Sequence, residues 1–201
     1  MDSNRLLFRF IIPGAGVAKG RARATVRRGK GGKPILSKAG EPILGSYTPE
    51  KTRNFEAMVK DFAAQAIGGP GAELLTVPVD LLVEFRFKIP ASWPKWQKEL
   101  AAVGLVHHTR KPDCSNLVKA IEDACNGVLF KDDGQVVGSV TDKVYTAGAE
   151  CIEVYGFRRA GVSCQATRAE AMAEIAGFDP SIRMDNWPLG RRFRRLKLIA
   201  P

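Results

Sequence analysis

The sequence has few of the residues that build disulfide frameworks and zinc sites. Its four cysteines, Cys114, Cys125, Cys151 and Cys164, are widely spaced and form no Cys-x-x-Cys pair, and there are only two histidines. A structural zinc site is therefore not expected, and the thiols are predicted to be reduced and structural.

Long apolar runs and phosphate-binding glycine loops are also absent. No run of eighteen apolar residues occurs, and the first ten residues lack the apolar region and cleavage site of a signal peptide. Gly14, Gly16 and Gly20 do not complete Gly-x-Gly-x-x-Gly, and no Gly-Lys-Ser/Thr follows them. We therefore expect a soluble, cytoplasmic protein with no membrane association and no nucleotide cofactor.

Positive charge is what the sequence has in excess. Lys and Arg number 31 against 21 Asp and Glu, which gives a formal net charge of +10. This balance favours a polyanionic partner such as nucleic acid. Seven of the basic residues lie between Lys19 and Lys33 with no acidic residue among them. That segment is predicted to be a flexible hairpin or loop that follows a phosphate backbone, and a solubilising loop is the alternative.

Hydrophobic periodicity predicts an α+β fold in which a small mixed β-sheet packs with two main helices. A chain of 201 residues with 45% hydrophobic content can bury one core. The predicted elements are a strand over 5–12 with Leu6, Phe8, Phe10 and Ile12 on one face, a helix over 49–67 capped by Thr48, a strand over 79–89, a loop with one short helix over 91–110, a helix over 115–125, a hairpin of strands over 135–145 and 150–158, and a short helix over 167–176. Residues 1–160 are assigned to the main domain, and residues 161–201 to a C-terminal extension with a basic tail.

The segment Lys111–Asp133 places acidic residues at both ends of one helical unit. Asp113 comes just before the predicted helix, and the alternative to a catalytic role there is an N-cap. Asp132 and Asp133 follow an apolar run, and their alternative is a polar turn between elements. Converging carboxylates inside a basic protein are suited to hold a divalent metal ion against a polyanion.

The helix between these acidic ends carries a second pattern. Ser115, Lys119 and Asp123 are each four residues apart, so a hydroxyl, an ammonium and a carboxylate line one face. The alternative for Lys119 and Asp123 is a solvated ion pair worth a few tenths of a kcal/mol.

This segment resembles the RusA family of Holliday-junction resolvases. It reads Lys-Pro-Asp-x-x-Asn-Leu-x-Lys from Lys111, followed by Asp123, Asn-Gly, Asp-Asp and Gln-Val-Val. Further similarities lie at Pro13 through Arg23, at Tyr47-Thr48-Pro49, at Ile89 through Trp93, and at Lys143 and Tyr145. They cover roughly residues 8–158 in the family's order, whereas the last forty residues show no such similarity.

The resemblance implies a RusA-like fold, a metal-dependent endodeoxyribonuclease activity and named roles. Asp113 and Asp133 are expected to hold the metal and Lys119 to assist cleavage, with Asp132 and Ser115 as further ligand candidates. The predicted cofactor is Mg²⁺, for which Mn²⁺ can substitute. The predicted DNA-binding residues are Lys19, Arg21, Arg23, Lys111, Asn116 and Lys143. Because a four-way junction is resolved by two paired nicks, the expected assembly is a homodimer on branched DNA.

One position departs from the family's pattern. The family's core usually reads Asp-x-Asp-Asn, but the second aspartate is Ser115 here. A hydroxyl removes one negative charge from a site whose affinity for a hard cation depends on charge count. Three outcomes stay open: Asp132 or Asp123 supplies the missing carboxylate, Ser115 acts through a metal-bound water, or the protein binds junctions and cuts them poorly. A different structure-specific metal-dependent nuclease is a further alternative.

Overall fold

The computed structural model describes residues 6–20 and 23–159, together with Thr167 and Ala169. The described chain contains β1 (Leu6–Pro13), β2 (Arg23–Val26), β3 (Leu44–Tyr47), α1 (Glu50–Ala66), β4 (Val79–Lys88), α2 (Lys95–Ala102), α3 (Cys114–Cys125), a short 3₁₀ helix (Asp133–Gln135), β5 (Val136–Thr146) and β6 (Cys151–Arg158). None of the helices within these ranges has the length and apolar character needed to cross a membrane. Apart from Thr167 and Ala169, the predicted helix over 167–176 lies outside the described residues, and so does the basic C-terminal tail.

A four-stranded mixed sheet forms the centre of the fold, in the order β1-β6-β4-β5. β6 runs antiparallel to both β1 and β4, whereas β4 and β5 are parallel. The predicted α+β class and mixed sheet are confirmed. The predicted hairpin of the last two strands is wrong, because β4 lies between β5 and β6. The chain passes over the end of β4, where the backbone N–H of Lys88 donates to the Glu150 carboxylate at 3.2 Å.

The hydrophobic core lies between one face of this sheet and the helices. Alternate residues of β4, from Val79 to Phe87, are buried, as expected for a strand with one covered face. α1 packs against β1 and α3, and α3 packs against β5. The inward residues predicted for α3 are all fully buried: Leu117, Ala120, Ile121 and Ala124. Burial of this apolar face fixes α3, and with it the polar row on the opposite face.

Two details of the predicted elements differ from the structure. Leu6 is 45% exposed while Phe8 is buried, because the pairing of β1 with β6 shifts register between these two residues. The N-cap of α1 is Pro49 and not Thr48, and no side chain caps this end. A difference of one residue at a helix end is within the usual variation of helix boundaries.

The basic segment forms one side of a two-stranded antiparallel ribbon. β2 pairs with β3, and the connecting residues add further backbone bonds, including Ile35 N to Arg27 O at 2.8 Å. Most described side chains of this ribbon are exposed. The hairpin predicted for the basic segment from Lys19 to Lys33 is thus confirmed for part of that segment. Arg21 lies outside the described residues.

Candidate active site

Gly16 allows the segment after β1 to lie directly against the core below α3. A Cβ atom at this position would be 2.5 Å from the Phe85 ring and 2.9 Å from Leu117. Such distances are far shorter than ordinary contacts, so only glycine fits without rearrangement. A few residues later the backbone N–H of Lys19 donates to the Asn116 carbonyl at 2.7 Å. The Lys19 side chain is thereby brought beside the polar face of α3.

Five charged side chains form a continuous charge network: Glu56, Lys19, Asp123, Lys119 and Asp133. Lys19 Nζ lies 2.5 Å from Glu56 Oε1 and 2.8 Å from Asp123 Oδ2. Lys119 Nζ lies 2.8 Å from Asp123 Oδ1 and 3.1 Å from Asp133 Oδ2. The ion pair of Lys119 with Asp123, which is the alternative to a functional role, is present and belongs to a larger network. Asp123 is its central member, because its two oxygens accept from two different lysines.

The charge network alters the protonation of its members. Burial would raise the pKa of Asp123, but the hydrogen bonds from Lys119 and Lys19 outweigh it and hold that pKa below its usual value. The hydrogen bond from Lys119 lowers the pKa of the Asp133 carboxyl as well. Hydrogen bonds to these two carboxylates raise the pKa of Lys119, and the bond to Asp123 has the larger effect. Lys119 therefore stays protonated and positively charged at neutral pH.

Asp113 stands at the N-cap position of α3 but makes no side-chain capping bond. Its side chain is exposed, and it has no hydrogen bond or ion pair with the part of the chain that the structure describes. The alternative role of a side-chain cap is therefore not observed. The carboxylate is available to an external ligand, and the structure does not join it to the charge network.

Asp132 has a structural task in the turn before β5. Its carboxylate accepts from Gly134 N at 2.8 Å, and the Gln135 side chain accepts from the backbone N–H of Asp132 at 3.2 Å. This reciprocal capping box fixes the 3₁₀ helix that begins at Asp133. Gln135 also donates to the Leu75 carbonyl at 2.7 Å, which ties the turn to the chain before β4. The polar-turn alternative thus describes Asp132, and the turn holds Asp133 against Lys119.

The other predicted site residues lie on several elements of the fold. Ser115 and Asn116 are exposed on the first turn of α3, and Lys111 is exposed in the segment before it. The Lys111–Pro112 peptide bond is cis. Arg23 is the first residue of β2. Of the predicted DNA-binding residues, Lys19 has its ammonium engaged in the charge network and Lys143 has its ammonium engaged by backbone carbonyls.

Two further residues, Glu56 and His108, make contacts near the site. Glu56 joins the charge network from α1, although it resembles any exposed helical glutamate in the sequence. The His108 ring stacks on Phe87 with centroids 4.0 Å apart. Burial lowers the pKa of His108, and the positive charges of Lys143 and Arg110 act in the same direction. The sequence carries a signal for neither contact, because each joins positions far apart in the chain.

The donor chemistry of the site determines which metal it fits. No group of three or more His, Cys, Asp or Glu residues in the described chain is arranged to hold a metal ion. Mg²⁺, however, is usually held by one or two carboxylates together with water and substrate phosphates. Asp113, Asp133 and the Ser115 hydroxyl offer hard oxygen donors, and both Asp113 and Ser115 are exposed. By their chemistry, these oxygen donors suit an open site completed by water and phosphate better than a closed protein cage.

Comparison with known proteins agrees with this organisation. The family model described as endodeoxyribonuclease RusA matches residues 13–155. This range contains every member of the charge network, Asp113, the strands β4 and β5, the last residue of β1 and the first five residues of β6. An uncharacterized protein of Bacillus subtilis (strain 168), YqaN, is 33% identical over 140 residues, which cover 69% of this chain and 87% of that protein.

Proposed function

The chain belongs to the RusA family of endodeoxyribonucleases, and from this we propose that it is a metal-dependent nuclease that resolves four-way DNA junctions by paired phosphodiester hydrolysis. The observation that carries the proposal is the placement of Lys119 between Asp123 and Asp133 on the exposed face of α3. An ammonium held beside carboxylates can serve the hydrolysis of a phosphodiester, because negative charge accumulates on the phosphate in the transition state.

We assign the metal to Asp113 and Asp133, with the Ser115 hydroxyl as a neutral third donor. Mg²⁺, or Mn²⁺ in its place, supplies polarisation of the scissile phosphate and compensation of charge on the leaving oxygen when bound. The protein's part is to present oxygen donors of fixed position. The capping box of Asp132 does so for Asp133, and the N-terminus of α3 does so for Asp113.

Lys119 stabilises the negative charge that develops on the phosphate. Its pKa is raised, so it stays protonated, and Asp123 restrains its flexible side chain from the next turn of the helix. Holding the ammonium in place before the reaction avoids reorganisation during the reaction. Lys19 and Glu56 extend this restraint to the segment after β1 and to α1.

The ribbon of β2 and β3 binds the DNA arms. It carries Arg27, Arg28, Lys30 and Lys33 on an exposed surface, and the ribbon makes few contacts with the rest of the described chain. Contacts of this kind with phosphates give affinity that falls with salt and carry no sequence information. Arg23 and Lys111 are assigned to the same role.

A homodimer is the assembly that suits this substrate. Paired nicks on opposite strands need two active sites related by a two-fold axis. Sedimentation of the protein alone and with a synthetic junction tests this assignment: the expected species is a dimer in both samples, and a monomer on the junction would contradict paired cleavage.

The function is tested with strand-labelled four-way junction, flap and linear duplex substrates, each in magnesium, in manganese and in chelator. The expected result is a pair of nicks on opposite strands of the junction in either metal and no product in chelator. Preferred cleavage of the flap would identify a different structure-specific nuclease. Tight junction binding with no product in any metal would identify a junction-binding protein, the second candidate that Ser115 favours.

Replacement of Ser115 by aspartate tests how much the missing carboxylate matters. The added negative charge is expected to lower the metal concentration for half-maximal junction cleavage by roughly one order of magnitude, since hard-cation affinity follows the charge count of the ligands. Ser115→Asn is the matched neutral control and should not lower that concentration. If both variants behaved alike, Ser115 would lie outside the metal site.

A further inference from the structure

The ammonium group of Lys143 binds the protein's own backbone. Its Nζ donates to the Arg110 carbonyl at 2.7 Å and to the Pro112 carbonyl at 2.9 Å. An ammonium has three donors, so two of them are committed to backbone oxygens. In the register of the parallel strands Lys143 is paired with the buried Phe85, so its side chain leaves β5 on the core side of the sheet.

The two acceptors lie immediately before the first turn of α3. The Pro112 carbonyl belongs to the peptide group that also contains the backbone nitrogen of Asp113. By binding two carbonyls within three residues, Lys143 restrains the path of the chain at the point where it presents Asp113. If Lys143 contacted phosphate instead, both carbonyls would lose this charged donor.

A second contact fixes the same segment to the same end of the sheet. The His108 ring stacks on Phe87 of β4 and lies 5.1 Å from the Tyr145 ring of β5, centroid to centroid. Trp93 packs edge-on against Tyr145 with a centroid distance of 4.9 Å. Tyr145 is two residues from Lys143, so it projects from the same face of β5. The segment from His108 to Pro112 is therefore attached to β4 and β5 at two places.

We propose that Lys143 is a positioning residue that holds the segment before α3 so that Asp113 faces the substrate. It is not a phosphate contact in this assignment, although its charge and its neighbourhood suggest one. The inference rests on the proposed nuclease function only for its effect on cleavage. Displacement of a catalytic group by about 1 Å can lower a rate by about 10²-fold.

The test compares Lys143→Met, which keeps the aliphatic stem, with Lys111→Met as the exposed control. Single-turnover junction cleavage at saturating protein is expected to fall about 10²-fold in Lys143→Met. The slope of log affinity against log salt, measured in chelator, should stay at the wild-type value for Lys143→Met and fall by about 1 for Lys111→Met. A decrease in the slope for Lys143→Met, with an unchanged rate at saturation, would overturn the proposal.

Two further measurements do not depend on cleavage. Hydrogen exchange of the free protein should accelerate over residues 106–118 in Lys143→Met, with α1 unchanged, whereas a phosphate-binding lysine would leave exchange in the free protein as it is. Amine labelling of the wild-type protein should be slow at Lys143 with or without junction and should become slower at Lys111 on binding. Rapid labelling of Lys143 that DNA suppresses would refute the inference even if the methionine variant failed to fold.

If wild-type protein cleaves no substrate, the proposed function fails while the exchange and labelling results still decide the role of Lys143. Lys143→Arg separates the two further. Arginine keeps the charge and can donate to two acceptors, so partial recovery of the rate is expected, with the salt slope again unchanged.

Discussion

Asp113→Asn is expected to lower the single-turnover rate of junction cleavage by at least about 10²-fold, while junction affinity in chelator stays the same or rises slightly. A metal-held charge is worth several kcal/mol to the transition state, and about 3 kcal/mol corresponds to roughly a hundredfold in rate. The variant loses a negative charge near the DNA, so phosphate binding is not weakened. Gel-resolved cleavage in magnesium and manganese, together with a binding titration, gives both quantities.

Stability should not account for this loss. Asparagine is as good an N-cap as aspartate, and Asp113 makes no side-chain capping bond that the change would remove. The melting temperature of Asp113→Asn is therefore expected to match the wild type. Asp61→Asn is the matched control, because it makes the same change of charge at an exposed position of α1. If Asp113→Asn nicked junctions at the wild-type rate, Asp113 would not hold the metal.

The elements of the fold could be predicted because each one carries its own periodicity. Phe55, Val59 and Ala63 are buried at helical spacing, and alternate residues of β4 are buried, in agreement with the periodicity of the sequence. The order of the strands in the sheet does not follow from the periodicity of each element. β5 and β6 are consecutive and both alternate, so the pattern suits a hairpin as well as a sheet with β4 between them. Only the packing of the whole sheet decides between the two.

The same distinction applies to the candidate site. The ion pair of Lys119 with Asp123 follows from a separation of four residues on one helix. The bond of Lys19 to Glu56 joins residues 37 positions apart and depends on the close approach that Gly16 permits. Lys143 makes contacts that its residue type does not predict. A basic residue in a basic protein suggests a DNA contact, but its hydrogen bonds are made to the protein's own backbone.

Lys119→Met is expected to reduce cleavage by about 10²- to 10³-fold, the usual effect of removing one preorganised donor to the transition state. The effect on stability should be far smaller, because a partly exposed i,i+4 ion pair such as Lys119 with Asp123 contributes about 0.3–0.5 kcal/mol. A loss of activity without a change in melting temperature would therefore come from the chemistry of the site.

The concentration of metal separates the two roles that Lys119 can have. In the wild type its ammonium is paired with Asp133, so removing it leaves that carboxylate more available to a cation. The metal concentration for half-maximal cleavage should then stay the same or fall, even though the maximal rate is low. Lys119→Arg keeps the positive charge but replaces a compact ammonium with a planar guanidinium, so only partial recovery is expected. If added magnesium restored the full rate of Lys119→Met, the lysine would serve metal binding, and the stabilisation of transition-state charge would have to come from another group.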